Sequence, residues 1–140
     1  MPDSLFSGTN VSASAMSAER LRMTIATENL SHAGESRSPG TGLPYARQRV
    51  IFQTMLEQSG MSGADGQVEV KVVDSPRYVQ RYEPGHPHAD ANGMVTESDI
   101  NPVLELTDLM IASRAYDANA NAARGLLRMH ESALRIGDGR

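Results

Sequence analysis

The chain has 140 residues, a formal net charge of −4 and no cysteine, which fits a single domain and excludes disulfide or thiolate chemistry and any charge-driven grip on nucleic acid. Aromatic residues make up only 4 % of it, with two Phe and no Trp, and much of the apolar content is Ala and Met, so an ordinary large core is excluded because each Ala buries little area. The stretch from Met1 to Gly8 has no basic segment followed by an apolar run, so no secretory leader is expected, and no apolar run approaches the ~20 residues of a membrane span.

Composition divides the chain into three expected segments: an N-terminal helical segment over 1–33, a β-rich middle with turns over 34–102, and a C-terminal helical segment over 103–140. Residues 11–33 contain no Gly or Pro. At 100° per residue, Val11, Ala15, Ala18, Ile25 and Ala33 share one stripe, with Met16, Met23, Ala26 and Leu30 beside it. Ser17, Arg20, Thr24, Glu28 and Ser31 take the opposite face. Asn10 or Ser12 is the expected cap and Gly34 the stop signal.

The middle predicts strands over Ala46–Leu56 and Val68–Val73, and a weaker one over Arg77–Tyr82. Turns are signalled at Ser38-Pro39-Gly40, from Gly60 to Gly66, and at Ser75-Pro76, Pro84-Gly85 and Asn92-Gly93.

The last segment predicts a second amphipathic helix. Asn101 caps it and Pro102 takes the first helical position, where a missing N–H costs nothing. Leu104, Ile111, Ala115, Ala118, Ala122, Leu126, Met129, Ala133 and Ile136 form one stripe. Leu109, Tyr116, Ala123, Leu127 and Leu134 form a second, and Arg114, Asp117, Asn121, Arg124, Arg128, Glu131 and Arg135 fill the polar arc.

Length argues that these helices reach beyond their own chain. A helix over 103–136 is about 50 Å long, whereas a compact globule of this size is roughly 37 Å across. An antiparallel pair would also leave apolar arc uncovered, because a two-helix seam is narrow. The expected fold is therefore α+β: long terminal helices pairing in an antiparallel coiled-coil-like arrangement, with a small β-rich module between them. The plainer alternative is that both helices simply form the core of a compact domain.

Several motifs resemble those of the flagellar rod and hook protein family. Ser14-Ala15, Ala18, Arg22-Met23, Asn29-Leu30 and Ala33 are similar to its N-terminal motif. Met110-Ile111-Ala112-Ser113-Arg114-Ala115-Tyr116, with Ala118-Asn119, resembles the matching C-terminal one. Pro44-Tyr45 with Arg47, Val50 with Phe52, and Tyr82 to Val95 with its Pro84-Gly85-His86-Pro87 core narrow the likeness to subunits of the proximal rod. The likeness runs from about residue 5 to residue 136. The chain departs at Ser31–Ser36, where the family is Asn-rich, and at Met94, where an aromatic is common.

The resemblance implies a structural subunit that stacks into a hollow rod transmitting motor torque, with the terminal helices forming the inner tube. It implies partners: other copies of the chain, other flagellar rod proteins, the membrane-ring base of the rod and the flagellar type III export apparatus. It places the chain in the basal body, in a rod spanning the periplasm, exported without a cleavable signal peptide. No nucleic acid and no direct membrane insertion are expected.

The expected assembly interface comprises Val11, Ala15, Ala18, Arg22, Ile25 and Asn29 on the first helix. On the second it comprises Ile111, Ala115, Tyr116, Ala118, Asn119, Ala122, Leu126 and Met129. Arg22 and Asn29 stand on an apolar stripe, so each is expected to bond across to another helix and fix register, or Arg22 to snorkel to water. Asp108 and Asn119 carry the same expectation, and Tyr116 is expected to be a packing anchor.

A rival class is a metal-dependent enzyme or metal-binding protein. His86, His88 and Asp90 alternate, and on an extended segment would share a face suited to zinc or copper. The alternative at the same residues is a turn stiffened by Pro84 and Pro87. Asp90 to Gly93 also resembles a fragment of a calcium loop, without its distal Glu. A monomeric binding module is a further alternative. No nucleophile elbow, phosphate loop or zincin motif is present, so neither a catalytic residue nor a cofactor is nominated.

Overall fold

Two long helices bracket four short strands in the computed structural model, which describes residues 3–37, 42–54 and 68–138. The order is α1 (Asp3–Ser31), β1 (Gln48–Thr54), β2 (Val68–Asp74), β3 (Tyr78–Tyr82), β4 (Met94–Ser98) and α2 (Pro102–Asp138). This is the α+β arrangement that the two periodicities predict.

α1 starts well before the expected caps. Asn10 and Ser12 lie inside it, and serine hydroxyls there bond back to a preceding carbonyl instead of capping. Ser12 Oγ donates to the Gly8 carbonyl at 3.0 Å, and Ser14 Oγ to that of Val11 at 2.9 Å. The stop is where the sequence puts it. The helix ends at Ser31, the chain turns through His32 and Ala33, and Gly34 takes φ +77°, the left-handed conformation glycine permits.

Asn101 caps α2 as expected. Its Oδ1 accepts the Val103 N–H at 3.0 Å, and its carbonyl accepts Leu104 and Glu105 N–H groups. At 37 residues, α2 is about 56 Å long.

β1 pairs with β2, and β3 with β4. β4 has no counterpart among the expected strands. Met94-Val95-Thr96-Glu97-Ser98 offers only one β-branched apolar residue, so its composition does not announce a strand. Its pairing does: it lies antiparallel to β3 with Tyr78 opposite Ser98 and Tyr82 opposite Met94. Gly93 takes φ +75° in the connection, and an added Cβ there would stand 3.0 Å from Pro84 Cβ and Tyr82 Cε2. The Ser38–Gly40 and Gly60–Gly66 turns lie outside the described residues.

The chain forms two compact units, one of Met1–Leu21, Ile51–Lys71 and Ile111–Arg140, the other of Arg22–Val50 and Val72–Met110. In the first, the buried residues are small: Ser12, Ala18 and Ala112. Gly8 lies against Leu126 so closely that an added Cβ would be 3.2 Å from its Cδ1, which is how small residues let two helices approach. In the second, Ile25, Ala26, Val95 and Ile100 are buried together with polar Asn29, Glu97, Ser98 and Glu105. Buried polar groups are tolerated only when bonded, and these are.

Candidate assembly surface

The polar face of α1 is where the periodicity puts it: Ser17, Arg20, Thr24, Glu28 and Ser31 are all exposed. The opposite stripe is used within the chain. Ala18, Ile25 and Asn29 are buried, and Val11, Ala15 and Arg22 are half-buried.

The polar residues on that stripe do bond to another helix, and it is α2 of the same chain. Arg22 grips Asp108 with two nitrogens, Nε to Oδ2 at 3.1 Å and Nη2 to Oδ1. Asn29 Nδ2 donates to Glu105 Oε2 at 3.0 Å. As α1 advances from Arg22 to Asn29, its partners on α2 step back from Asp108 to Glu105, so the helices run antiparallel here.

Glu105 is 2 % exposed. A buried carboxylate needs charged and neutral donors around it. Arg47 supplies the charged donors, with Nε and Nη2 each 2.7 Å from Oε1, and the Asn29 amide supplies a neutral one to the other oxygen. Sequence reasoning passed over Glu105. The available signal was an acid in the first turn of a helix, which reads as ordinary dipole compensation.

Tyr45 lies in the same unit, stacked on His32 at 4.2 Å between ring centres and 11° between planes. Its hydroxyl oxygen is buried with no hydrogen-bond partner among the described residues. Burial pushes its pKa above 10.0, and the carboxylates of Glu28, Asp74, Glu105 and Glu35 push the same way.

On α2 the two apolar stripes have different fates. Leu109, Tyr116, Asn119, Ala123 and Leu126 are half-buried, flanking Glu105 and Ala112, which are buried. Ala115 is half-buried at the border. Asn119 turns its amide to its own helix, donating to the Ala115 carbonyl at 2.9 Å, not to another helix. Leu104, Ile111, Ala118, Ala122, Met129, Ala133 and Ile136 face outward, with Ile136 82 % exposed. Leu127 and Leu134, near the helix end, are exposed too. The expected polar arc, Arg114 to Arg135, is exposed throughout. Val103, Leu106 and Met110 form a third outward apolar group at the helix start, on an arc the sequence reading assigned to polar residues because the later turns there are charged.

The His86–Asp90 segment is a turn and not an extended strand. His86 Nδ1 accepts the His88 N–H at 3.1 Å, and His88 Nδ1 bonds Ser36 Oγ at 2.8 Å. Asp90 Oδ1 accepts the N–H groups of Asn92 and Met94. Both Nδ1 atoms and Asp90 Oδ1 thus help to hold the turn, and no group of three potential ligands converges among the described residues. Among those residues no helix is long and apolar enough to cross a membrane.

A family model described as the flagellar basal body rod FlgEFG protein C-terminal region matches residues 91–136, β4 and nearly all of α2. The chain is 34 % identical over 124 residues to the flagellar basal-body rod protein FlgC of Agrobacterium fabrum, covering 87 % of each chain. It is 33 % identical over 146 residues to that of Bacillus subtilis, covering 94 % of this chain and 97 % of the relative. The Salmonella typhimurium protein is 33 % identical over 130 residues, with 91 % and 94 % covered. The chain belongs to the FlgC family of flagellar basal-body rod proteins. As a FlgC-family member it is a structural subunit of the flagellar basal body and not an enzyme. In this member of the FlgC family, the polar cluster around Glu105 and the apolar row on α2 have separate uses. The Asn29, Arg47 and Tyr45 positions hold the chain together, and the outward row on α2 is left uncovered.

Proposed function

We propose that this subunit stacks with other copies and with other rod proteins in the proximal part of the rod, through the outward row of α2, and that the stack carries motor torque. One observation carries the reading. Leu104, Ile111 and Ala118, and then Ala122, Met129 and Ile136, follow at seven-residue steps on one side of α2 and are all exposed. A seven-residue apolar repeat is the seam of a coiled coil, which needs a facing helix. The α1 positions Val11, Ala15, Ala18, Arg22, Ile25 and Asn29 act in this scheme as the brace behind that surface. Ala115, Tyr116, Asn119 and Leu126 link brace and surface, while Ile111, Ala118, Ala122 and Met129 make the contact. The three-part division of the chain then reads as two assembly segments flanking a β-rich module.

The family likeness supports a rod that spans the periplasm from its membrane-ring base and an exit through the flagellar type III export channel without a cleavable leader. The test is Ala118→Asp or Ala122→Asp in cells. Both side chains are exposed, so the purified variant keeps its circular dichroism while rods fail to form and swimming stops. Normal swimming by either variant overturns this surface.

A further inference from the structure

β3 and β4 differ in how they are covered. Val95, Glu97 and Ser98 of β4 are buried, whereas every residue of β3 is exposed. Among the described residues the sheet has two strands, so β3 has one edge facing away from β4. The register tells which groups lie on it. The Glu83 N–H bonds the Gly93 carbonyl, and the Asp99 N–H bonds that of Arg77. Odd-numbered residues of β3 therefore point their backbone groups at β4, and Tyr78, Gln80 and Tyr82 point theirs outward. Among the described residues, nothing bonds those three N–H and three C=O groups. An edge of this kind is a template for another strand.

Its sequence states which strand fits. Laid antiparallel against itself about Gln80, the segment places Tyr78 opposite Tyr82, Val79 opposite Arg81, and Arg77 opposite Glu83. Opposite charges meet at both ends and no like charges face each other. Moving the centre one residue toward the N-terminus sets Arg77 against Arg81. Moving it one residue toward the C-terminus sets Arg81 against Arg81. Only the centred register joins all three outward residues to their counterparts. Pro76 and Pro84 stand two residues beyond Tyr78 and Tyr82. Lacking an N–H, they end the usable edge at both sides and oppose growth into a longer ribbon.

We infer that two copies of this chain associate in solution through antiparallel pairing of their β3 edges, centred on Gln80, giving a sheet ordered β4, β3, partner β3, partner β4. Such a contact is two-fold and closed. A head-to-tail stack cannot propagate through it, so the pairing belongs to subunits that have not yet assembled.

The test uses the full chain, which contains no cysteine of its own. Sedimentation equilibrium is expected to show a monomer–dimer equilibrium in the wild type. Gln80→Pro, which removes a central outward N–H at an exposed position, abolishes it. Glu83→Arg weakens it about tenfold, since like charges then meet at both ends, and the Arg77→Glu, Glu83→Arg double variant restores it. When Val79→Cys and Arg81→Cys chains are mixed under mild oxidation, 79-to-81 crosslinks form in preference to 79-to-79 or 81-to-81. Opposite residues there are about 4.5 Å apart at Cα, within disulfide reach. A wild type that stays monomeric, or a dimer unaffected by Gln80→Pro, overturns the inference. Either result leaves the α2 surface untouched, because no rod is involved in the measurement.

Discussion

Asn29 pairs with Gln48 as one strand pairs with another. Its side-chain Oδ1 accepts the Gln48 N–H at 2.9 Å and its Nδ2 donates to the Gln48 carbonyl at 2.9 Å. A helix side chain thus serves the first residue of β1, and the same amide reaches Glu105 on α2. Three elements meet at one side chain that is 1 % exposed.

Replacing it should be felt in all three. Asn29→Ala leaves the Gln48 N–H and carbonyl without their partner, and such groups cost about 1–3 kcal/mol when buried. Asn29→Asp should be worse, because a carboxylate cannot donate to Gln48 and faces the Glu105 carboxylate. Urea denaturation of the purified variants measures both, and equal stability of wild type and Asn29→Asp would refute the role.

Arg47 and Glu105 should behave as a coupled pair. Arg47→Met strands a buried carboxylate, an effect of about 3–5 kcal/mol. The Arg47→Met, Glu105→Leu double variant should recover much of that loss, since two apolar groups carry no unpaired charge. A double-mutant cycle checks it: additive losses would show that the two do not act together.

Tyr45 predicts an alkaline weakness. Its folded-state pKa is raised above the ordinary 10.0, so the folded chain holds the phenolic proton more tightly than the unfolded chain. That contribution is fully present below pH 10 and is lost as pH rises through the folded value, because the unfolded chain ionises first. Tyr45→Phe removes both this loss and a hydroxyl without a partner. The variant should match or slightly exceed the wild type at pH 7, and its advantage should grow above pH 10 in thermal melts. A constant difference at all pH values would count against it.

Two glycines of the same turn region should respond differently. Gly93→Ala forces an L side chain into positive φ and against Pro84 and Tyr82, for a loss of roughly 2 kcal/mol. An added Cβ at Gly85 meets nothing within 4 Å, so Gly85→Ala should be close to neutral. Amide exchange in β3 and β4 reads the difference directly, with faster exchange only in the Gly93 variant.

Much of this architecture was legible in the residues themselves. Both helices, their polar faces, the Asn101 cap, the Gly34 stop and three of the four described strands follow from periodicity and turn chemistry, which act over a few neighbouring residues. The terminal motifs were enough to suggest the family. β4 was not legible, because Thr96, Glu97 and Ser98 are strand residues only by virtue of what pairs with and covers them.

Local pattern determined that each terminal segment is a helix with apolar surface to spare, since side-chain spacing along a helix is set by 100° per residue and nothing else. Which stripe meets its own chain was decided in three dimensions. Arg22 with Asp108, and Asn29 and Arg47 with Glu105, are up to 86 residues apart in sequence, and their bonds select the face of α2 that turns inward. Once charged groups are paired there, rotating the helix to bury Leu104 and Ile111 instead would break the Arg22–Asp108 pair and part the Glu105 carboxylate from Arg47 and Asn29. That is why the greasier row is the one left outside.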